Sequence, residues 1–216
     1  MKILITGGAG FIGSHLCDAL IERGHNLTVV DNLVLGRKEN ISHLLEKVGF
    51  EFIEEDLLHT EAMREIFKDR KFDMVYHLAA NSDIQKGGKD PQVDYDLTFN
   101  TTFHVLRYLK EFGIKKFFFA STSAIYGETS DILNENYGPL CPVSNYGAGK
   151  LASEAFISAF SFAYHIQTWI TRFPNVVGER FTHGVIYDFI HKLRKNPAEL
   201  EVLGNGEQYK PYVYVK

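Results

Sequence analysis

Along the first 172 residues, short runs rich in β-branched and aromatic residues alternate with longer helical patterns. That alternation restricts the fold more than any other feature. Strands are expected at Lys2–Thr6, Asn26–Asp31, Glu51–Glu54, Met74–His77, Lys116–Ser121 and Gln167–Arg172. Helices are expected at Phe11–Arg23, Arg37–Val48, Glu61–Asp69, roughly Gln92–Phe112, and Asn145–Tyr164. Strands separated by helices imply crossover connections and a parallel sheet. "FFFA" at 117–120 is apolar throughout, as befits a strand covered on both faces. The expected fold class is therefore α/β, a doubly wound parallel sheet with helices on both faces.

After Arg172 the pattern changes. "FPNVVGERF" reads as a loop, "GVIYDFIHKLRK" as a helix, and "LEVLGNGEQYKPYVYVK" as a strand, a Gly-Asn-Gly turn and a second strand. Two domains are expected, 1–172 and 173–216.

"LITGGAGFIGSHL" adds the first chemistry. A strand ends at Thr6, Gly7, Gly8, Gly10 and Gly13 follow, and a helix opens near Phe11. Glycine lets backbone approach a bulky pyrophosphate, and a helix N-terminus presents N–H groups and partial positive charge to it. Gly13 allows close helix–strand packing. The second strand ends in Asp31, 18 residues beyond Gly13, where a carboxylate accepts both adenosine ribose hydroxyls and repels a 2′-phosphate. This Rossmann-type arrangement predicts NAD, with Arg37 and Lys38 keeping NADP as the alternative. Asp56 in "EEDL" can reach an adenine amino group, and Ala79 and Ala80 in "HLAANS" leave room for a cofactor. Both follow strands, where open α/β sheets bind ligands.

Charge and composition exclude other classes. The formal net charge of −4 argues against sequence-blind nucleic-acid binding. Apolar residues make up 45% and charged residues 23%, ordinary for a soluble globular chain. No apolar run approaches membrane-spanning length, and the strand-like start leaves no room for a signal peptide, so no membrane partner and a cytoplasmic location are expected. Cys17 and Cys141 form no disulfide framework, and the nine histidines show no metal-binding spacing, so no metal is expected.

The segments "TGGAGFIG", "VVDNL", "EEDL", "HLAA", "STSAIYG", "YGAGK", "RFPNVVG" and "LGNGEQYKPYVYV" occur in an order that resembles the extended short-chain dehydrogenase/reductase superfamily, within its nucleotide-sugar epimerase and dehydratase group. The resemblance spans almost the whole chain. It implies bound NAD, a Tyr-x-x-x-Lys pair and a hydroxyl residue at the end of the fifth strand. Registration back from Tyr126 puts that hydroxyl at Thr122, with Ser121 and Ser123 as alternatives. It further implies cofactor contacts at Phe11, Ile12, Asn32, Leu57, Leu78, Ser121 and Phe173, and substrate contacts at Ser82, Ser123, Asn175 and Lys210. Family members carry Arg-Asp where this chain has Lys210-Pro211, so the usual bidentate phosphate clamp becomes a point charge. The family's chains also run on past this sequence's end, so 173–216 is expected to be the start of an incomplete substrate lobe.

The chemistry of Tyr146 and Lys150 can be read separately. Hydride removal from a sugar carbinol needs a base for the hydroxyl proton. An ordinary tyrosine is protonated at neutral pH, and a nearby ammonium favours phenolate. Four residues apart on a helix, the two share a face. Gly147, Ala148 and Gly149 are expected to keep that face open for ligands.

Dehydratases of the group carry an acid pair just after the hydroxyl residue, and its decarboxylases a glutamate. Here Ser123 and Ala124 stand there. The expectation is NAD-dependent epimerisation of a nucleotide-diphosphate sugar, C4 of a UDP sugar first, through a 4-keto intermediate. The alternatives are a dehydratase, decarboxylase or keto-sugar reductase, or an NAD-binding scaffold without turnover. The resemblance also implies a homodimer built on the helices near 92–112 and at Tyr146, and a place in polysaccharide biosynthesis.

Overall fold

The computed structural model describes residues 1–216 apart from 183, 203 and 208. Two compact units divide it, Met1–Phe173 and Pro174–Lys216.

In the first unit, β1 (Lys2–Thr6), β2 (Asn26–Asp31), β3 (Phe50–Glu54), β4 (Met74–His77), β5 (Lys116–Thr122) and β6 (Gln167–Phe173) form one sheet in the order β3-β2-β1-β4-β5-β6. Every neighbouring pair is parallel. The order reverses direction between β1 and β4, so a crevice opens at the carboxyl ends of those two strands.

Alternation along the strands makes two cores. Leu4, Val30, Val75, Phe117 and Phe119 face α2 (Thr60–Arg70), α5 (Thr101–Phe112) and α6 (Asn145–Tyr164), meeting Phe67, Leu106, Leu109 and Ile157. Ile3, Ile5, Leu27 and Val29 face the other way, toward Cys17 and Leu20 of α1 (Phe11–Glu22). Burying side chains of this kind contributes roughly 1.5–3 kcal/mol each, which fixes the register of the central strands.

Three local expectations are corrected. The helix expected at Arg37–Val48 is two single 3₁₀ turns, Lys38–Asn40 and Ser42–Leu44. Only Ile41 and Leu44 of that stretch enter the core, too few for a helix's apolar stripe. The long helix near 92–112 is composite, α4 (Pro91–Asp94), a π-helical turn Tyr95–Asn100 and then α5, and it is preceded by α3 (Ile84–Lys89). In the second unit, "NVV" is not loop. Asn175–Val177 is β7, paired in parallel with β8 (Tyr212–Tyr214), and α7 (Val185–Lys195) lies between them in sequence. Glu201 and Val202 form no strand, and Leu203 of that expected strand lies outside the described residues.

Among the described residues, no helix is long and apolar enough to cross a membrane.

Candidate active site

The glycine turn between β1 and α1 is shaped by close backbone contact. Gly7 has φ +72°, and a Cβ there would lie 2.6 Å from the Ala79 nitrogen at the end of β4. A Cβ on Gly13 would collide with the Gly7 carbonyl oxygen and lie 2.8 Å from Gly8 Cα. Gly10 is the N-cap of α1 and offers no side chain to cap it. A backbone cradle at a helix N-terminus, set at the sheet's switch point, suits a pyrophosphate. Phe11 and Ile12 open that helix, half-buried.

Asp31 closes the cradle. One carboxylate oxygen accepts from the Ala9 N–H at 3.0 Å, the other from the Leu33 N–H at 2.9 Å. Burial pushes its pKa up, and the two N–H groups pull against that. Asp31 therefore holds the glycine turn. Gly36 lies so near that a Cβ would sit 2.6 Å from the carboxylate. Asn32 donates to Asp56 at 2.8 Å, whose other oxygen accepts from the Leu58 N–H at 2.8 Å. Leu57 is buried beside them. Leu78, Ala79 and Ala80 follow β4 half-buried, and Ser82 is exposed.

At the end of β5, Thr122, Tyr146 and Lys150 converge. Thr122 is the N-cap of a 3₁₀ turn, Ser123–Tyr126, its hydroxyl oxygen accepting from the Ala124 N–H at 3.1 Å. Thr122 also lies near enough to the Tyr146 phenol to lower its pKa. Lys150 Nζ lies 6.0 Å from the Tyr146 ring centre and donates to the Ala120 carbonyl at 2.6 Å. The alternative hydroxyls have other surroundings. Ser121 is committed to Glu154, and Ser123 sits one step into the turn.

The two glycines also permit close packing. Ser144 caps α6 by accepting from the Gly147 N–H at 3.1 Å. A Cβ on Gly147 would lie 2.8 Å from the Ala124 carbonyl, and one on Gly149 would lie 3.3 Å from Thr98 of the π-helical turn. They let α6 press against the protein on two sides, which seats Tyr146 and Lys150 beside Thr122.

The electrostatics also differ from expectation. Burial raises the Tyr146 pKa to about 12, with the Asp94 carboxylate adding to the rise and the Thr122 hydrogen bond opposing it. Burial brings Lys150 down to about 7, against the pull of Glu154. Lys150 alone therefore does not deliver a phenolate, because desolvation outweighs it.

Three participating groups escaped sequence reading. His77, fully buried at the end of β4, contacts Thr6 at 2.7 Å through Nδ1 and Thr102 at 3.0 Å through Nε2. Thr102 already donates to the Thr98 carbonyl, so it accepts from His77 Nε2–H, and Thr6 donates to Nδ1. Burial, then the Lys150 charge, lowers the His77 pKa to about 3, so the ring is neutral. Asp94 is buried and accepts from Asn81 at 2.8 Å. Glu154 lies one helical turn past Lys150, and that i+4 spacing was the available signal.

Phe173 ends β6 half-buried. Asn175, on β7, and Lys210 are exposed residues of the second unit.

The sequence profile of the NAD dependent epimerase/dehydratase family matches residues 3–216. The chain belongs to that family. Within the family, a putative UDP-glucose 4-epimerase of Methanocaldococcus jannaschii is 37% identical over 218 residues, covering 99% of this chain and 69% of the relative. A crystal structure of a UDP-galactose 4-epimerase superposes with a TM-score of 0.87 at 40% identity, covering 100% of this chain and 68% of the other. The UDP-glucuronic acid 4-epimerase of Bacillus cereus, solved with UDP-glucuronic acid and NAD, gives 0.88 at 33% identity, covering 100% of this chain and 69% of the other. The six-stranded parallel sheet with flanking helices is the fold shared with these epimerases.

Proposed function

We propose that this chain binds NAD and epimerises C4 of a UDP sugar. The observation that carries the reading is the convergence of the Thr122 hydroxyl, the Tyr146 phenol and the Lys150 ammonium at the end of β5. Support comes from the family membership and from the NAD and UDP-glucuronic acid bound in the Bacillus cereus neighbour.

The residues present fit a dinucleotide. Gly7, Gly10 and Gly13 form the backbone cradle for its pyrophosphate, and Asp31 faces the adenosine ribose. Asp56 with Asn32, Leu57, and Leu78 through Ala80 line the way across the strand ends, and Ser121 and Phe173 complete the set at β5 and β6. Bound there, NAD would supply reversible hydride acceptance from the sugar carbon.

The chain's own groups handle the proton. Tyr146 takes it from the sugar hydroxyl as the hydride leaves, and Thr122 hydrogen-bonds the same oxygen and aligns it. Lys150 opposes, by its charge, the burial that disfavours the Tyr146 phenolate, and a bound nicotinamide's positive charge would add to that. Tyr146 gives the proton back to the sugar oxygen, and with NAD bound the hydride would return to the opposite face of C4 and invert the centre. Ser123 and Ala124 offer no acid for eliminating water, which favours epimerisation over dehydration and decarboxylation. Ser82 and Ser123 are assigned to the sugar nucleotide.

The same reading makes the protein a cytoplasmic homodimer that serves polysaccharide biosynthesis. Phe99 and Phe156 stack edge-on at 5.3 Å between the π-helical turn and α6, and Phe156 is 40% exposed. Light scattering tests the dimer.

Incubation with NAD and UDP-glucose, UDP-N-acetylglucosamine or UDP-glucuronic acid, followed by proton NMR, tests the reaction. The C4 epimer should appear with no net change in NADH. NAD binding without inversion of any of the three would favour the scaffold alternative.

A further inference from the structure

The face of α6 that carries Tyr146 and Lys150 continues to Glu154. Lys150 and Glu154 are 1% and 8% exposed, so both charges sit inside the fold. Lys150 donates to the Ala120 carbonyl, and the Ser121 hydroxyl donates to Glu154 at 2.5 Å. Two successive turns of α6 thus clasp two successive residues of β5, immediately before Thr122. Arg172, which faces Ser121 in the β5–β6 register, grips the same carboxylate through Nη2 at 2.8 Å and Nε at 3.2 Å. Its Nη1 donates to the Tyr126 hydroxyl at 3.0 Å and the Glu135 carbonyl at 3.1 Å.

We propose that Glu154, paired with Arg172 and hydrogen-bonded to Ser121, is a positioning residue that favours the ammonium form of Lys150 beside Tyr146. The proposal builds on the reading of Tyr146 and Lys150 as the proton-handling pair.

The groups facing Lys150 leave Glu154 as its anionic support. From β5 come the Ala120 carbonyl and the Phe119 ring, whose centre lies 4.5 Å from Nζ. From β4 comes His77, which is neutral at working pH and whose neighbours are threonines. From α6 come the Tyr146 phenol and Glu154. Asp94 acts on Tyr146, and Arg172 reaches this centre through Glu154. Among these, the Glu154 carboxylate is the charge that resists the loss of the Lys150 proton on burial.

The test reads Lys150 directly. The protein is labelled with carbon-13 at lysine Cε, the Lys150 resonance is assigned by its loss in Lys150→Met, and its pH titration is followed without substrate. Glu154→Gln keeps an acceptor for Ser121 but removes the charge, and it should lower the midpoint by about one pH unit or more. Ser121→Ala removes the hydrogen bond but keeps the charge, and it should leave the midpoint in place. Glu154→Gln/Arg172→Met removes both members of that ion pair and, should the single variant fail to fold, should still lower the midpoint, though by less, because the opposing Arg172 charge is lost with the carboxylate.

In turnover, the alkaline limb of kcat/KM should move down in pH with the Lys150 midpoint, because the ammonium is lost earlier. An unmoved midpoint in both Glu154 variants overturns the proposal, as does an equal fall in Ser121→Ala, which would make geometry rather than charge the cause. A shifted midpoint in a protein that inverts no sugar would keep this inference and sink the catalytic reading. Normal turnover with an unmoved midpoint would do the reverse.

Discussion

Thr122 and Tyr146 meet at the end of β5 with their roles already divided. The Thr122 oxygen accepts from the Ala124 N–H at 3.1 Å, and Thr122 opposes the rise that burial causes in the Tyr146 pKa. Tyr146→Phe removes the proton acceptor yet leaves the ring's packing. We expect kcat to fall about 10²–10⁴-fold, the usual range for a general base, with NAD affinity little changed. Steady-state kinetics alongside calorimetric NAD titration separates the two effects.

Gly7 supports a prediction about the cradle. Its φ of +72° and the Ala79 backbone 2.6 Å from a would-be Cβ leave no room for a side chain. Gly7→Ala should cost about 1–3 kcal/mol through strain and displaced backbone. It should also weaken NAD binding. Gly24 is the control, with φ +76° and open space around it, so Gly24→Ala carries strain without the collision. Chemical denaturation should show the larger loss at Gly7, and NAD titration should show a loss there alone.

Asp31 has two duties, and a substitution should expose both. It fixes Ala9 in the glycine turn and Leu33 after β2, and the proposed function puts its charge against the adenosine ribose. Asp31→Asn turns an amide N–H toward a backbone N–H, so it should lower the melting temperature. It also removes the negative charge that repels a 2′-phosphate, a repulsion that costs several kcal/mol between like charges. The ratio of NADP to NAD affinity should rise about tenfold or more. An unchanged ratio would show that Asp31 serves the turn alone.

How much of this was legible in the sequence follows from the range of each interaction. The strand–glycine–helix start, the Asp31 position and the Tyr146–Lys150 spacing are local patterns, and each formed where the pattern put it. The helix expected at Arg37–Val48 failed because polar residues outnumber its core contacts, a fact set by the neighbouring β-sheet. The purpose of Gly147 and Gly149 was hidden because Ala124 and Thr98, which press on them, come from distant elements. Glu154 and Arg172 are 18 residues apart and meet only once α6 packs on β6. Nor could spacing reveal that burial dominates the Tyr146 phenol, since desolvation depends on everything packed around it.

His77 gives the fold an acid sensitivity. Its folded pKa of about 3 lies below the ordinary 6.5, so between those values the unfolded chain binds the extra proton. Stability therefore rises with pH across that window and is lost as pH falls through it, in total by several kcal/mol. Protonation would also set a cation among Thr6, Thr102 and the Phe117 and Phe119 rings, near Lys150. His77→Gln retains a donor and an acceptor in the same place and cannot titrate. It should be less stable than the wild type at pH 7, because the amide does not reproduce the ring's stacking on Phe119 at 5.9 Å. Urea unfolding from pH 7 down to pH 4 should then show a shallower decline in the variant, the two curves converging as the solution becomes acidic. Parallel curves would mean that His77 is not the group whose protonation weakens the fold.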